Sequence, residues 1–202
     1  ATANPALDLK AMAADLGLAG QRIGVEYESY GLVAANGRKL DAAFAGFATL
    51  SDASHLITRL RAVKSAEEIV YVREAARLSD RADEAAIALL KAGADEGDIL
   101  AAQHNAIFQG GGDYPANEFI IGSGRDALLC RYKAGRRKLA KNDQLTLEWA
   151  GVYHHYHAAM MRTVLTGNVS KRHQELFDAS KDALQAVEAA MVGDGAADIN
   201  AA

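Results

Sequence analysis

The residues able to do chemistry in this 202-residue chain gather in one stretch, Leu145-Thr-Leu-Glu148-Trp-Ala-Gly151-Val-Tyr153-His154-His155-Tyr156-His157-Ala158-Ala159-Met-Met-Arg162-Thr163. A carboxylate such as Glu148 can attack an electrophilic carbon or take a proton from water. Imidazole titrates near neutrality, so His155 or His157 can pass a proton to a departing nitrogen. Upstream, Arg131 cannot serve as a general base, but its planar fork suits a carboxylate. Tyr153 and Tyr156 flank the imidazoles as candidate substrate contacts. If the stretch is a hairpin with alternating side chains, Tyr153, His155 and His157 share one face and His154 and Tyr156 the other. Only one of these sets can meet a ligand. Plainer readings stand beside these: Glu148 as a solvent-facing strand glutamate, and the histidines as a structural hydrogen-bond network or an adventitious metal site.

The elements that must position these groups follow from periodicity. Leu7 to Leu18 has a short amphipathic helix pattern, Arg22-Ile-Gly-Val-Glu26 reads as a buried strand, and a second helix runs near Gly37 to Phe47. His55 to Leu60 fits a strand or a linker equally. From Lys64 the pattern changes. Ser65 is a natural N-cap and Glu68 completes a capping box, opening a long helix that Gly93 ends. A further helix from Glu96 to about Phe108 closes at Gly110-Gly-Gly112. Phe119 to Gly124 and Gln144 to Trp149 read as strands separated by a charged loop, and a final helix spans Gln174 to Met191. The glycine run is no phosphate loop, because it follows a helix and lacks the Gly-Lys-Ser/Thr ending.

Composition excludes several classes. With 50% hydrophobic and 24% charged residues the chain is ordinary globular material. A net charge of -4 argues against a nucleic-acid partner or an anionic membrane surface, and the basic run Arg131 to Lys138 is too short to overturn that. One cysteine, Cys130, cannot form an internal disulfide, which fits a reducing cytoplasm. No signal-peptide pattern and no membrane-length apolar run is present, so the expected location is cytoplasmic.

Four landmarks in order carry a family resemblance: Arg61-Ala-Val-Lys64-Ser65-Ala-Glu67-Glu68-Ile69, Phe119-Ile-Ile-Gly-Ser123-Gly124-Arg-Asp-Ala127, Lys141-Asn-Asp143, and the Glu148-to-Thr163 hairpin. Together they resemble the pita-bread superfamily of creatinase and Xaa-Pro aminopeptidases. The fold this implies is α/β (α+β): residues 1–60 as the end of a creatinase-type N-terminal α/β domain, and 61–202 as the first half of the pita-bread catalytic domain, the second half being absent from this chain. In the family, the hairpin supplies two metal-binding aspartates at the spacing of Glu148 and Ala159, followed by Arg-Thr as at Arg162-Thr163. Here the first is a glutamate and the second an alanine, and Arg131-Tyr132 stands where His-Tyr is usual.

These departures imply no metal and no cofactor. The phrase from Cys130 through Glu148-Trp-Ala-Gly and His155-Tyr156-His157 to Arg162-Thr163 looks most like ectoine hydrolase. That branch opens a cyclic amidine bearing a carboxylate, giving N-acetyl-diaminobutyrate in osmolyte catabolism, and the family resemblance implies a homodimer. On it, Glu148, His155 and His157 are the catalytic candidates, and Arg131, Tyr153 and Tyr156 the substrate contacts, with Arg162 propping the hairpin. The competing readings are a metal-dependent Xaa-Pro peptidase, a creatinase-like amidinohydrolase, and a non-catalytic binding module of the same fold.

Overall fold

The computed structural model describes residues 4–129 and 136–191. Arg131 and Cys130 therefore lie outside the described residues. The chain divides into two compact units, 1–66 and 67–202.

The first unit alternates helix and strand. Its α1 (Pro5–Asp15) starts with proline at the first turn, where the missing N–H costs nothing, and the Asn4 side chain accepts from the Ala6 amide. Then follow β1 (Arg22–Val25), α2 (Ala34–Phe44), β2 (Thr49–Asp52) and α3 (Leu56–Ala62). The two strands pair in parallel through the α2 crossover, with Ile23 beside Leu50. Leu40 and Phe44 of α2 bury against Ile23, Val25, Leu50 and Phe47. Two expectations need correcting here. His55 to Leu60 is neither strand nor linker but the cap and body of α3, and β2 was not foreseen, because four residues carry too little alternation to stand out.

In the second unit α4 (Ala66–Ala88) buries Ala75, Leu78, Ala82 and Ala86, a stripe at helical spacing. Helix α5 (Glu96–Gln109) is capped by Asp95, whose carboxylate accepts from the Gly97 amide at 2.8 Å. Strands β3 (Ile120–Ser123), β4 (Asp143–Tyr153) and β5 (Tyr156–Thr166) form an antiparallel sheet in that order. Along β4 the residues Leu145, Leu147, Trp149 and Gly151 are buried while Thr146, Glu148 and Ala150 are half-buried, so one face packs and the other is open except at the turn end, where Val152 is fully buried. The packed face joins Ile99, Ile107, Phe119 and Ile121 in one core. A 3-10 turn, Gly124–Leu128, follows β3. Ser170 caps α6 (Lys171–Ala190), which begins three residues earlier than its apolar pattern predicts and buries none of its residues.

One polar cluster, partly buried, lies at the end of the sheet. The Ser123 hydroxyl donates to Glu96 at 2.6 Å, and both residues are buried. Arg137 donates to the Ser123 hydroxyl at 2.6 Å and pairs with Asp143. Burial alone would raise the Asp143 carboxyl, but hydrogen bonds from the Ala140 amide, Arg137 and the Gln144 amide outweigh it and hold the group below the usual carboxylate range. A depressed folded value means that the stabilisation is present above the unfolded value and is lost as pH falls through the folded one. Asp143→Asn is expected to lower stability near neutrality and to flatten the acid limb. Urea midpoints followed from neutrality to about pH 2 check this, and an acid limb identical to that of the parent refutes it.

Candidate functional site

The hairpin turn decides which side chains share a face. Tyr153 pairs with Tyr156 across a two-residue connection, and the connecting residues His154 and His155 have φ of 46° and 64°. Both lie in the left-handed region, as a type I′ turn requires. The alternation expected across this stretch therefore stops at the turn. Tyr153 and Tyr156 fall together on the α4 side, His155 belongs to neither strand face, and His157 is on the opposite, open face with Ala159 and Met161. The grouping of Tyr153, His155 and His157 is thus corrected by the turn geometry.

On the α4 side the aromatic rings close on one another. Tyr71 of α4 stacks on Tyr156 with centroids 5.6 Å apart and meets His154 at 5.0 Å and Tyr153 at 6.0 Å. The Tyr156 hydroxyl donates to the Glu68 carboxylate at 2.7 Å. Neither tyrosine shares a face with Glu148, so their geometry is that of a clamp holding the turn to the helix. Tyr156→Phe is expected to cost about 1 kcal/mol, the ordinary worth of such a bond. A melting temperature equal to that of the parent would remove the clamp from the account.

His157 is equally engaged. Its Nε2 accepts from the Ala116 amide at 3.0 Å, which places the proton on Nδ1, and Nδ1 donates to the His155 carbonyl at 2.8 Å. The His155 amide donates to the Asp113 carboxylate at 3.0 Å, and the Asp113 amide to the Val152 carbonyl at 2.9 Å. With both ring nitrogens bonded to backbone, His157 holds the 113–116 loop against the hairpin and has no nitrogen left for a proton shuttle in this arrangement. The sequence reading missed Asp113 and Ala116 as partners, since neither belongs to a motif, and read Glu68 only as part of a helix cap.

What remains on the open face is Glu148. It pairs in register with Ile120 on one side and Met161 on the other, next to Ala150 opposite Ala159. The face therefore offers a half-buried carboxylate beside a patch of methyl groups. Arg162 pairs with Leu147 on the other face, where its guanidinium offsets part of the burial that raises the Asp83 carboxyl.

A metal centre needs convergent donors. At the Glu148 and Ala159 positions only one side chain has an oxygen, and among the described residues no three His, Cys, Asp or Glu side chains come together to hold an ion.

Comparison with known proteins bears on the fold and the hairpin together. The model of metallopeptidase family M24 matches residues 70–202. An Xaa-Pro dipeptidase of Pyrococcus furiosus is 29% identical over 139 residues, covering 68% of this chain and 40% of that protein. An uncharacterized peptidase of Staphylococcus aureus is 29% identical over 144 residues, covering 69% and 41%. Among solved structures, the X-Pro aminopeptidase of Thermotoga maritima has a TM-score of 0.71 at 26% identity, over 84% of this chain and 46% of that one. A dipeptidase of Pyrococcus horikoshii has a TM-score of 0.73 at 26% identity, over 91% and 50%. The chain thus spans about 40% of the length of the curated relatives it matches.

Proposed function

We propose, from the premise that this chain belongs to metallopeptidase family M24 and has its mixed α/β pita-bread fold, that it serves a C–N bond hydrolase whose hairpin works without a metal pair. The substrate proposed is a small molecule with an amidinium and a carboxylate, with ectoine as the leading instance. One observation carries the metal-free part: Ala159, opposite Ala150, puts a methyl group where the family resemblance implies a second carboxylate. Glu148 is the reacting group, as nucleophile or as base on a water. Arg131 keeps its proposed place as partner of the substrate carboxylate. His155, His157, Tyr153 and Tyr156 act by holding the turn, the loop and α4 together. Homodimerisation and a cytoplasmic location belong to the same proposal.

A second reading, an Xaa-Pro peptidase-like hydrolase, has its own support in the names of the similar proteins, which are dipeptidases and aminopeptidases. Those names favour it over the ectoine assignment, whereas the donor set favours the metal-free one.

The full-length protein incubated with ectoine, or with an Xaa-Pro dipeptide, separates the two by proton NMR with and without EDTA. Ring opening of ectoine, unchanged by EDTA, is the expected result. Dipeptide cleavage abolished by EDTA establishes the second reading instead. Turnover of neither substrate sinks both.

A further inference from the structure

The two parallel strands of the first unit, β1 and β2, both lead to one cleft of about 560 Å³. Ligands of open α/β sheets bind in the crevice outside the carboxyl ends of the strands, and small-molecule sites have volumes of about 300–1,000 Å³. Glu26 and Glu28 of the cleft follow β1, Ser54 follows β2, Ile57 and Arg61 come from α3, and Lys64 stands just past the end of that helix. All of these residues belong to the first unit.

The turns that form the rim are tied to each other. The Glu28 amide donates to the Ser54 hydroxyl at 3.1 Å, the Ser54 amide donates to the Asp52 carboxylate at 2.9 Å, and the Glu28 carboxylate lies 3.8 Å from the His55 imidazole. The Lys64 ammonium donates to the Arg61 carbonyl, one of the carbonyls that the end of α3 leaves open. Glu28, Ser54 and Lys64 thus hold the walls, and two groups of opposite charge remain. Among the described residues, no side chain pairs with the half-buried Glu26 carboxylate or with the exposed Arg61 guanidinium.

Those two groups select the ligand. The planar fork of an arginine suits a carboxylate, and a glutamate suits an ammonium. A simple anion is repelled by Glu26 and Glu28, and a simple cation by Arg61 and Lys64. A molecule that carries both charges satisfies both walls at once. Ile57, 45% exposed and one helical turn before Arg61, adds apolar surface for the carbon skeleton between them.

We propose that this cleft is a second ligand site, one for a small amino-acid zwitterion: Glu26 receives the ammonium, Arg61 the carboxylate and Ile57 the aliphatic side chain. Glu148 belongs to the second unit, and the site stands whichever reaction runs there. Either reading of that reaction releases a molecule of this class.

The test titrates the full-length protein by NMR with L-valine, with isobutylamine, which lacks the carboxylate of valine, and with isovalerate, which lacks its ammonium. Wild type is expected to bind valine at least about tenfold more tightly than either fragment, as the loss of one charged hydrogen-bonding group dictates. Glu26→Gln is expected to weaken valine about tenfold and leave isovalerate no weaker, and Arg61→Gln to weaken valine about tenfold and leave isobutylamine no weaker. Glu148→Gln is expected to leave valine affinity unchanged, which tells this site from the reacting one. Neither replaced side chain is buried, and melting at the wild-type temperature checks the fold of each variant. No valine binding by wild type, wild-type affinity in either Glu26→Gln or Arg61→Gln, or loss of valine binding in Glu148→Gln overturns the site. A fragment that binds wild type as tightly as valine overturns the zwitterion as its ligand.

Discussion

Replacing Gly151 with alanine is expected to destabilise the second unit by ~3 kcal/mol or more, a cost at the upper end of overpacking effects. Gly151 lies on the packed face of β4, and a Cβ built there overlaps the Ala75 carbonyl oxygen and the Ser79 amide nitrogen of α4. Both obstacles are backbone, so no rotamer change relieves them. The close approach is itself a consequence of sequence. Ala75 lets the strand sit on the helix, and the Trp149 indole, two residues before Gly151, donates to the Ser79 carbonyl at 3.0 Å. Moving β4 outward to admit a methyl group would break that bond and tilt the strand bearing Glu148. Gly37→Ala is the control, because a Cβ at that helical position meets nothing within 4 Å and its φ is ordinary. There the substitution is expected to be neutral or to stabilise by about 0.5–1 kcal/mol. Thermal or urea unfolding of the two variants decides the point, and equal melting of Gly151→Ala and wild type would mean that strand and helix are not in direct contact.

How far the sequence disclosed this arrangement depended on the length and chemistry of each element. Helices α4 and α5 were legible because both carry apolar residues at helical spacing and α5 closes at Gly110, although α4 ends at Ala88, five residues before the glycine expected to stop it. Helix α3 was not, because Leu56, Ile57 and Leu60 fit a short helix and a strand about equally well over so few residues. The hairpin was visible as two apolar-rich runs, yet its turn was not. A two-residue type I′ turn is normally announced by Asn-Gly or Gly-Gly, since both central residues need positive φ. Here two histidines occupy those positions, so the sequence carried no mark of where alternation stops. The grouping of Tyr153, His155 and His157 on one face consequently fails at the turn, whereas alternation holds along the uninterrupted strand from Glu148 to Tyr153. The loop that Asp113 and His157 hold to the hairpin is set by contacts between residues about forty apart, which no local pattern encodes.

The second large effect expected is the loss of turnover in Glu148→Gln without loss of the fold. The glutamate sits half-buried on the open face, and its strand position is secured by backbone pairing to Ile120 and Met161, which an amide of the same shape leaves intact. Stability is therefore expected to stay within about 0.5 kcal/mol of wild type, as for substitutions that open no cavity and break no network. The reaction has no such substitute. An amide can neither take a proton from water nor attack carbon, and removing a general base costs about 10²- to 10⁴-fold in kcat. Because His157 has both nitrogens bonded to backbone, His155 is held in the turn and His154 packs against Tyr71 of α4, none of the three imidazoles on this hairpin is placed to take over the task. Glu148→Asp separates the two roles that remain for the carboxylate. A base working through a water tolerates a shortened side chain, since the water can shift, and the variant should keep a measurable fraction of kcat. A nucleophile that must reach the carbon itself loses alignment, and Glu148→Asp should then be nearly as inactive as Glu148→Gln. Full activity in Glu148→Gln would mean that the reacting carboxylate lies elsewhere in the protein and that the open face of this hairpin only binds.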